Sequence, residues 1–100
     1  MDITVQELKQ KLDRKDKFLF LDVREAYEYN EFNLGATLVP LNTVIGAIED
    51  LEEHKENEIV IHCRSGQRSA VAQQMFQMAG YKNVRNLEGG VLAWKETFGE

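Results

Sequence analysis

Cys63 is the only cysteine in this 100-residue chain, and it heads the stretch Cys63-Arg64-Ser65-Gly66-Gln67-Arg68-Ser69. A thiol followed at once by two guanidiniums, two hydroxyls and a glycine has the makings of a nucleophile beside an anion site. The run before it, Ile59-Val60-Ile61-His62, is apolar and β-branched, the mark of a buried strand. The run after it, Ser69 to Ala79, holds no Gly or Pro and favours helix. A loop this short between strand and helix turns its amides toward a common centre, where the positive end of the helix dipole adds to them. A free thiol has a pKa near 8.5, so only about 3% is thiolate at pH 7, and helix N-termini and arginines lower it to roughly 3.5–7.5. A fall of about two units, worth ~2.7 kcal/mol, would make most of the population nucleophilic. An exposed helix terminus supplies about 0.3–1 kcal/mol of that. Arg64, Arg68 and the amides of Ser65, Gly66 and Gln67 must supply the rest. Most lone cysteines are small buried hydrophobes, but the polar loop here places the thiol at the rim, open to solvent.

The elements that position this loop follow from periodicity. Thr4-Val5-Gln6-Glu7 has capping-box form, and Val5, Leu8 and Leu12 continue at helical spacing to about Arg14. Met1-Asp2-Ile3 supplies a very short edge strand. Phe18-Leu19-Phe20-Leu21 is apolar on both faces, as in a central parallel strand covered by helices on each side. Asp22 and Arg24 stand at its C-terminal end, where open α/β sheets place their ligands. They point to one side of an extended segment, and pairing between them is read as structural. Ala26–Tyr29 is a short helical turn whose aromatics pack on the sheet rim. Ala36–Val39 is a further strand stopped by Pro40. Asn42 or Thr43 caps a helix striped by Val44, Ile45, Ile48 and Leu51. Glu52 to Asn57 is a solvated connection, with His54 on the surface. His62 ends the buried strand, and alternation turns its side chain away from Cys63. A bracing hydrogen bond therefore suits it better than the role of general base. Gly80 ends the helix after the loop, Tyr81–Leu87 is strand-like, Glu88-Gly89-Gly90 is a tight turn, and Val91–Lys95 is a last short helix with Trp94 in the core. Strands alternate with helices, so the class is α/β with a mainly parallel sheet.

Composition sets the outer bounds. One hundred residues make one domain, 1–100, with 43% hydrophobic and 29% charged residues, as in a soluble globular protein. A single cysteine forms no internal disulfide and fits a reducing compartment. The start of the chain lacks the basic and apolar regions of a secretory signal, and no apolar run has the length of a membrane span. The cytoplasm is the expected location, with no membrane partner. A net charge of −5 disfavours nucleic acid, yet it permits a local anion site, since charges beyond about 8 Å are screened.

Three stretches together resemble one family. Asp22-Val23-Arg24-Glu25, with Glu28-Tyr29 and Gly35-Ala36 downstream, resembles the N-terminal signature of rhodanese domains. Cys63-Arg64-Ser65-Gly66-Gln67-Arg68-Ser69 is similar to their active-site loop, and Asn86-Leu87-Glu88-Gly89-Gly90-Val91-Leu92-Ala93-Trp94 to their C-terminal signature. One departure stands out: Glu31-Phe32-Asn33-Leu34 occupies the place where the family often has Gly-His-Ile-Pro, which bears on rim shape and partner choice. The resemblance implies a mainly parallel five-stranded sheet with helices on both faces. It also implies sulfurtransferase activity through a Cys63 persulfide held by loop amides from Arg64 to Arg68. Ser69 belongs to the supporting frame. Arg64 and Arg68 would orient an anionic donor such as thiosulfate and stabilise the departing sulfite. The acceptor would be cyanide or a thiol, small or protein-borne, and no metal or organic cofactor is required. A monomer is the default.

Two other readings are kept. Rhodanese modules also serve as non-catalytic interaction or regulatory domains, typically where the cysteine is missing. Cysteine phosphatases and arsenate reductases share a Cys-headed anion loop, but their pattern places an arginine six positions after the cysteine. Here that position is Ser69, and Arg68 falls one residue short, giving a tighter ring better matched to one sulfur atom than to a phosphoryl group.

Overall fold

The computed structural model describes residues 1–100. Its centre is the pair of apolar runs expected to be strands, β1 (Leu19–Asp22) and β3 (Glu58–His62), which lie side by side and parallel. Strand β2 (Thr37–Leu38) adds to the outer edge of β1, and β4 (Asn83–Asn86) to the outer edge of β3, in the order β2-β1-β3-β4. Every pairing is parallel. The C-terminal ends of all four strands therefore meet at one edge of the sheet, the edge that carries Asp22, His62 and Asn86.

The sheet has four strands, not the five expected. Where the fifth would lie, Ile3 alone bridges Leu87. Its amide donates to the Asn86 carbonyl (3.0 Å) and its carbonyl accepts from Glu88 (2.9 Å). The reason is local. Thr4 caps helix α1 (Val5–Arg14) through a complete capping box with Glu7, so the chain turns into helix after a single paired residue.

Helices cover both faces, as the double-sided apolar run in β1 requires. On one face Leu21, Val23, Ile59, Ile61 and Cys63 pack under α3 (Val44–Asp50) and α4 (Gln67–Met78) with Val44, Ala72 and Phe76. On the other, Val60, Leu87 and Ile3 pack with Val5 and Leu8 of α1 and Trp94 of α5 (Gly90–Phe98). Helix α2 (Ala26–Glu31) buries no residue and hangs at the strand ends by polar ties. Tyr29 donates from its hydroxyl to the Ala36 carbonyl, while Tyr27 is exposed rather than packed on the rim.

Other boundaries shift for identifiable reasons. The segment after Pro40 begins as a 3₁₀ turn, Leu41–Thr43. The Thr43 hydroxyl donates back to the Pro40 carbonyl instead of capping α3. That turn rotates the helix so that Val44 is buried while Ile45 lies exposed, outside the expected stripe. Helix α4 starts at Gln67, two residues early, because Gly66 takes the left-handed conformation (φ +107°) and its carbonyl accepts from Ala70. Ser69 thus falls in the first helical turn, with its amide facing back toward the loop. Helix α5 runs on to Phe98, and Trp94 is half-buried against the core with the Phe98 ring tilted beside it at 4.7 Å. No helix is long and apolar enough to cross a membrane.

Candidate active site

The loop after β3 curls as its short length demands. The Cys63 sulfur lies at its centre, where it accepts from the amides of Gly66 (3.1 Å) and Ser69 (3.4 Å) and contacts the Ser69 hydroxyl at 3.3 Å. Next to it the amides of Gln67 and Arg68, the first of α4, bond to no acceptor within the protein. These are the orphan donors of a helix N-terminus, aimed at an anion. Cys63 itself is buried, with 1% of its surface exposed, so the expectation of a thiol at an open rim is corrected. The sulfur forms the floor of the cup rather than its edge, because Ser69 and Gly66 fold over it from the helix start. Burial pushes the thiol pKa up, but the Ser69 hydroxyl and the amides of Ser69, Gly66 and Ser65 outweigh it, and the thiol lies below its ordinary value.

The Ser69 hydroxyl has a second neighbour. Asn86 donates from Nδ2 to the Gly66 carbonyl (3.1 Å), which turns its Oδ1 onto the Ser69 oxygen. One hydroxyl proton then has two acceptors in reach, Asn86 Oδ1 and Cys63 Sγ. With a neutral thiol, the S–H donates to Ser69 and the hydroxyl donates to Asn86. With a thiolate, the hydroxyl proton swings to sulfur. Asn86 thus holds a rotor ready to follow the ionisation of Cys63. The sequence reading passed over it, although it opens the third signature stretch.

The cup keeps its shape because its carbonyls are held from outside. The amides of Val91 and Leu92, at the start of α5, donate to the carbonyls of Cys63 and Arg64 (3.0 Å each). With carbonyls tied outward, the loop amides are left facing inward. The approach requires glycine: a Cβ on Gly90 would stand 2.5 Å from the Cys63 carbonyl oxygen, and its φ of +57° is left-handed. What read as a tight turn is the clamp on the loop.

The other candidate residues form its support. Asp22 and Arg24 are fully or nearly buried and pair at 2.8 Å, and Arg24 also donates to the Phe32 carbonyl (2.7 Å), tying α2 to the strand end. His62 lies on the opposite face of β3 from Cys63, its ring tilted against that of Phe20 at 5.4 Å. Its Nδ1 lies 3.3 Å from the Cys63 carbonyl, an acceptor, so that nitrogen carries the proton. Nε2, buried and without a hydrogen bond, stands 3.5 Å from Asp22. Burial lowers the His62 pKa against the pull of Asp22, and the ring braces the loop as a neutral group.

The two arginines separate. Arg64 is exposed and has no ion pair or side-chain hydrogen bond. Arg68 is held by Glu28 of α2 through two parallel bonds, 2.7 and 2.9 Å. The guanidinium donates both bonds to Glu28 and brings its carboxyl down to about 2. Glu28 entered the sequence reading only as part of a signature; its partnership with Arg68, forty residues on, has no local signal. Ser65 and Gln67 are exposed on the outside of the loop. Beside the cup opens a groove of about 610 Å³ that includes Arg64, Glu28, Leu92 and Lys95. No cluster of three or more His, Cys, Asp or Glu stands close enough to hold a metal ion.

Comparison with known proteins places the chain among relatives. A family model for the rhodanese-like domain covers residues 4–97. A sulfurtransferase of Allochromatium vinosum is 33% identical over 94 residues, spanning 93% of this chain and 86% of that protein. YrkF of Bacillus subtilis, which carries a sulfur-carrier name, is 35% identical over 93% of this chain but only 50% of its own length. The chain spans half or less of several curated relatives that it matches. The crystal structure of the Alr3790 protein from Anabaena superposes with a TM-score of 0.83 at 30% identity, over 98% of this chain and 88% of that one. A family model over nearly the whole chain and a relative this similar over most of both lengths agree: the chain belongs to the rhodanese-like domain family.

Proposed function

We infer that residues 1–100 act as one sulfur-transfer domain in which Cys63 carries sulfane sulfur as a persulfide. The observation that carries this reading is the cup: Gly66 and Ser69 donate to the sulfur, and the Gln67 and Arg68 amides next to it have no acceptor of their own. The bound donors favour the thiolate. The free ones are available to an outer sulfur atom, or to charge that develops on it. With thiosulfate as donor, the thiolate attacks the outer sulfur, the S–S bond to the sulfonate breaks, and sulfite leaves with the electron pair. An acceptor thiolate or cyanide then takes the outer sulfur and returns Cys63 to the thiolate. The two half-reactions share one enzyme form and give ping-pong kinetics. These residues hold no second cysteine, so the persulfide passes to an acceptor outside them.

Sulfur-carrier and sulfurtransferase relatives support the role. A phosphatase reading loses ground, since Arg68, already one place short, is occupied by Glu28. The burial of Cys63 is the observation that favours a non-catalytic module. Intact-mass analysis after incubation with thiosulfate, then with a thiol, decides between them. A gain of one sulfur atom on Cys63, removed by the thiol, is the expected result. An unchanged mass with every sulfane donor would leave the module reading.

A further inference from the structure

We propose that Glu28, by occupying Arg68, tunes this site toward sulfane sulfur borne on an organic thiol, a persulfide donor, and away from small inorganic dianions such as thiosulfate. The proposal rests on the sulfur-acceptor reading of Cys63 and names the donor class of that same site. Its first support is the completeness of the pair. Both terminal nitrogens of Arg68 are taken by both oxygens of Glu28, at 2.7 and 2.9 Å, and the Glu28 side chain is only 12% exposed. The same carboxylate accepts from the Glu25 amide at 3.0 Å, so it cannot swing aside without uncapping α2. A second charge brought to the loop meets a guanidinium already neutralised.

The groove beside the cup points the same way. Its charged lining is balanced, with Glu28, Glu31 and Glu100 against Arg24, Arg64 and Lys95, and the chain carries a net charge of −5. Neither field draws in a dianion. A volume of about 610 Å³ greatly exceeds five heavy atoms of thiosulfate and falls within the range that holds small organic ligands. Mixed charges suit a donor that itself carries both signs, such as a thiol peptide. The chemistry balances without an oxidant. The Cys63 thiolate attacks the outer sulfur of R–S–SH, the bond between the two sulfurs breaks, and RS⁻ departs while Cys63–S–SH forms.

The test compares kcat/KM for glutathione persulfide and thiosulfate in the wild-type chain and in Glu28→Gln. Glutamine retains an oxygen for the Glu25 amide and frees the charge of Arg68. The wild type is expected to prefer the persulfide by about tenfold or more, the worth of one charge-assisted contact. In Glu28→Gln the KM for thiosulfate should fall about tenfold with kcat within about twofold, and the ratio of the thiosulfate KM to the persulfide KM should fall about tenfold as well. A merely structural Glu28 would shift both donors alike, and that result overturns the proposal, as does an unchanged thiosulfate KM in a folded variant. If the variant fails to fold by circular dichroism, the wild-type ratio decides: thiosulfate used as well as the persulfide is contrary. Loading of Cys63 by neither donor overturns the sulfur-acceptor reading itself.

Discussion

Strand β3 runs between two charged neighbourhoods that resolve their polar groups in opposite ways. At its N-terminal end the Glu58 carboxylate is shared by Lys11 and Arg85, each at 2.7 Å, and these three charges are all paired. At its C-terminal end Arg64 is unpaired, two amides of α4 are unbonded, and one hydroxyl proton divides its attention between Ser69's two acceptors. The first end is finished as a structure. The second is finished only when an anion arrives. Donors left open beside a nucleophile locate the chemistry more surely than charges do.

The contrast breaks most sharply at the sulfur. Cys63→Ser should abolish loading, with no sulfur gain by mass spectrometry after exposure to any donor. Next comes the clamp. Gly90→Ala forces a left-handed alanine against the Cys63 carbonyl, and should cost about 2 kcal/mol or more in chemical denaturation. Because the loop carbonyls are then released, loading should fall as well. Ser69→Ala removes the hydroxyl that favours the thiolate, so the loading rate at pH 7 should drop about tenfold, with recovery as pH rises above the new thiol pKa.

Smaller effects belong to the frame. His62 stays neutral in the fold while its unfolded counterpart protonates below about 6.5. Its pKa is depressed, so the unfolded chain binds more protons and stability is lost as pH falls from that value toward the folded one. Denaturation midpoints between pH 7.5 and 5.5 should therefore decline less steeply in His62→Gln than in the wild type. The smallest change in loading is expected at the closed end. Burial raises the Glu58 pKa, but Lys11 and Arg85 lower it further. Its contribution is present above the ordinary glutamate pKa and fades as pH falls through the depressed one. Glu58→Gln should leave loading unchanged, while stability near neutral pH falls by about 1–3 kcal/mol because Lys11 and Arg85 lose a largely buried partner. A loss of loading there would erase the distinction between the two ends.

Much of this was legible along the chain because it is local. The capping box at Thr4, the two-sided run ending at Leu21, the opposed facing of His62 and Cys63, and the Asp22–Arg24 pair each depend on neighbours within a few residues. The thiol's ring of donors followed from a short strand-to-helix loop. What escaped depends on distant partners or on turn geometry. Glu28 meets Arg68 across forty residues, Asn86 meets Ser69 across seventeen, and Gly90 reaches Cys63 only once α5 has docked. Cys63 is buried, against the expectation of an open thiol, because helix α4 begins two residues early and folds Ser69 over the sulfur. The missing fifth strand was lost to a cap one residue after Ile3.

The cup lowers the Cys63 pKa, and the chemistry of the site depends on that shift. Since the chain has one cysteine, ultraviolet titration of thiolate absorbance reads that group alone. The expected midpoint lies below the ordinary thiol value of about 8.5 and moves upward in Ser69→Ala. A midpoint at or above that value, unmoved by the substitution, would contradict it.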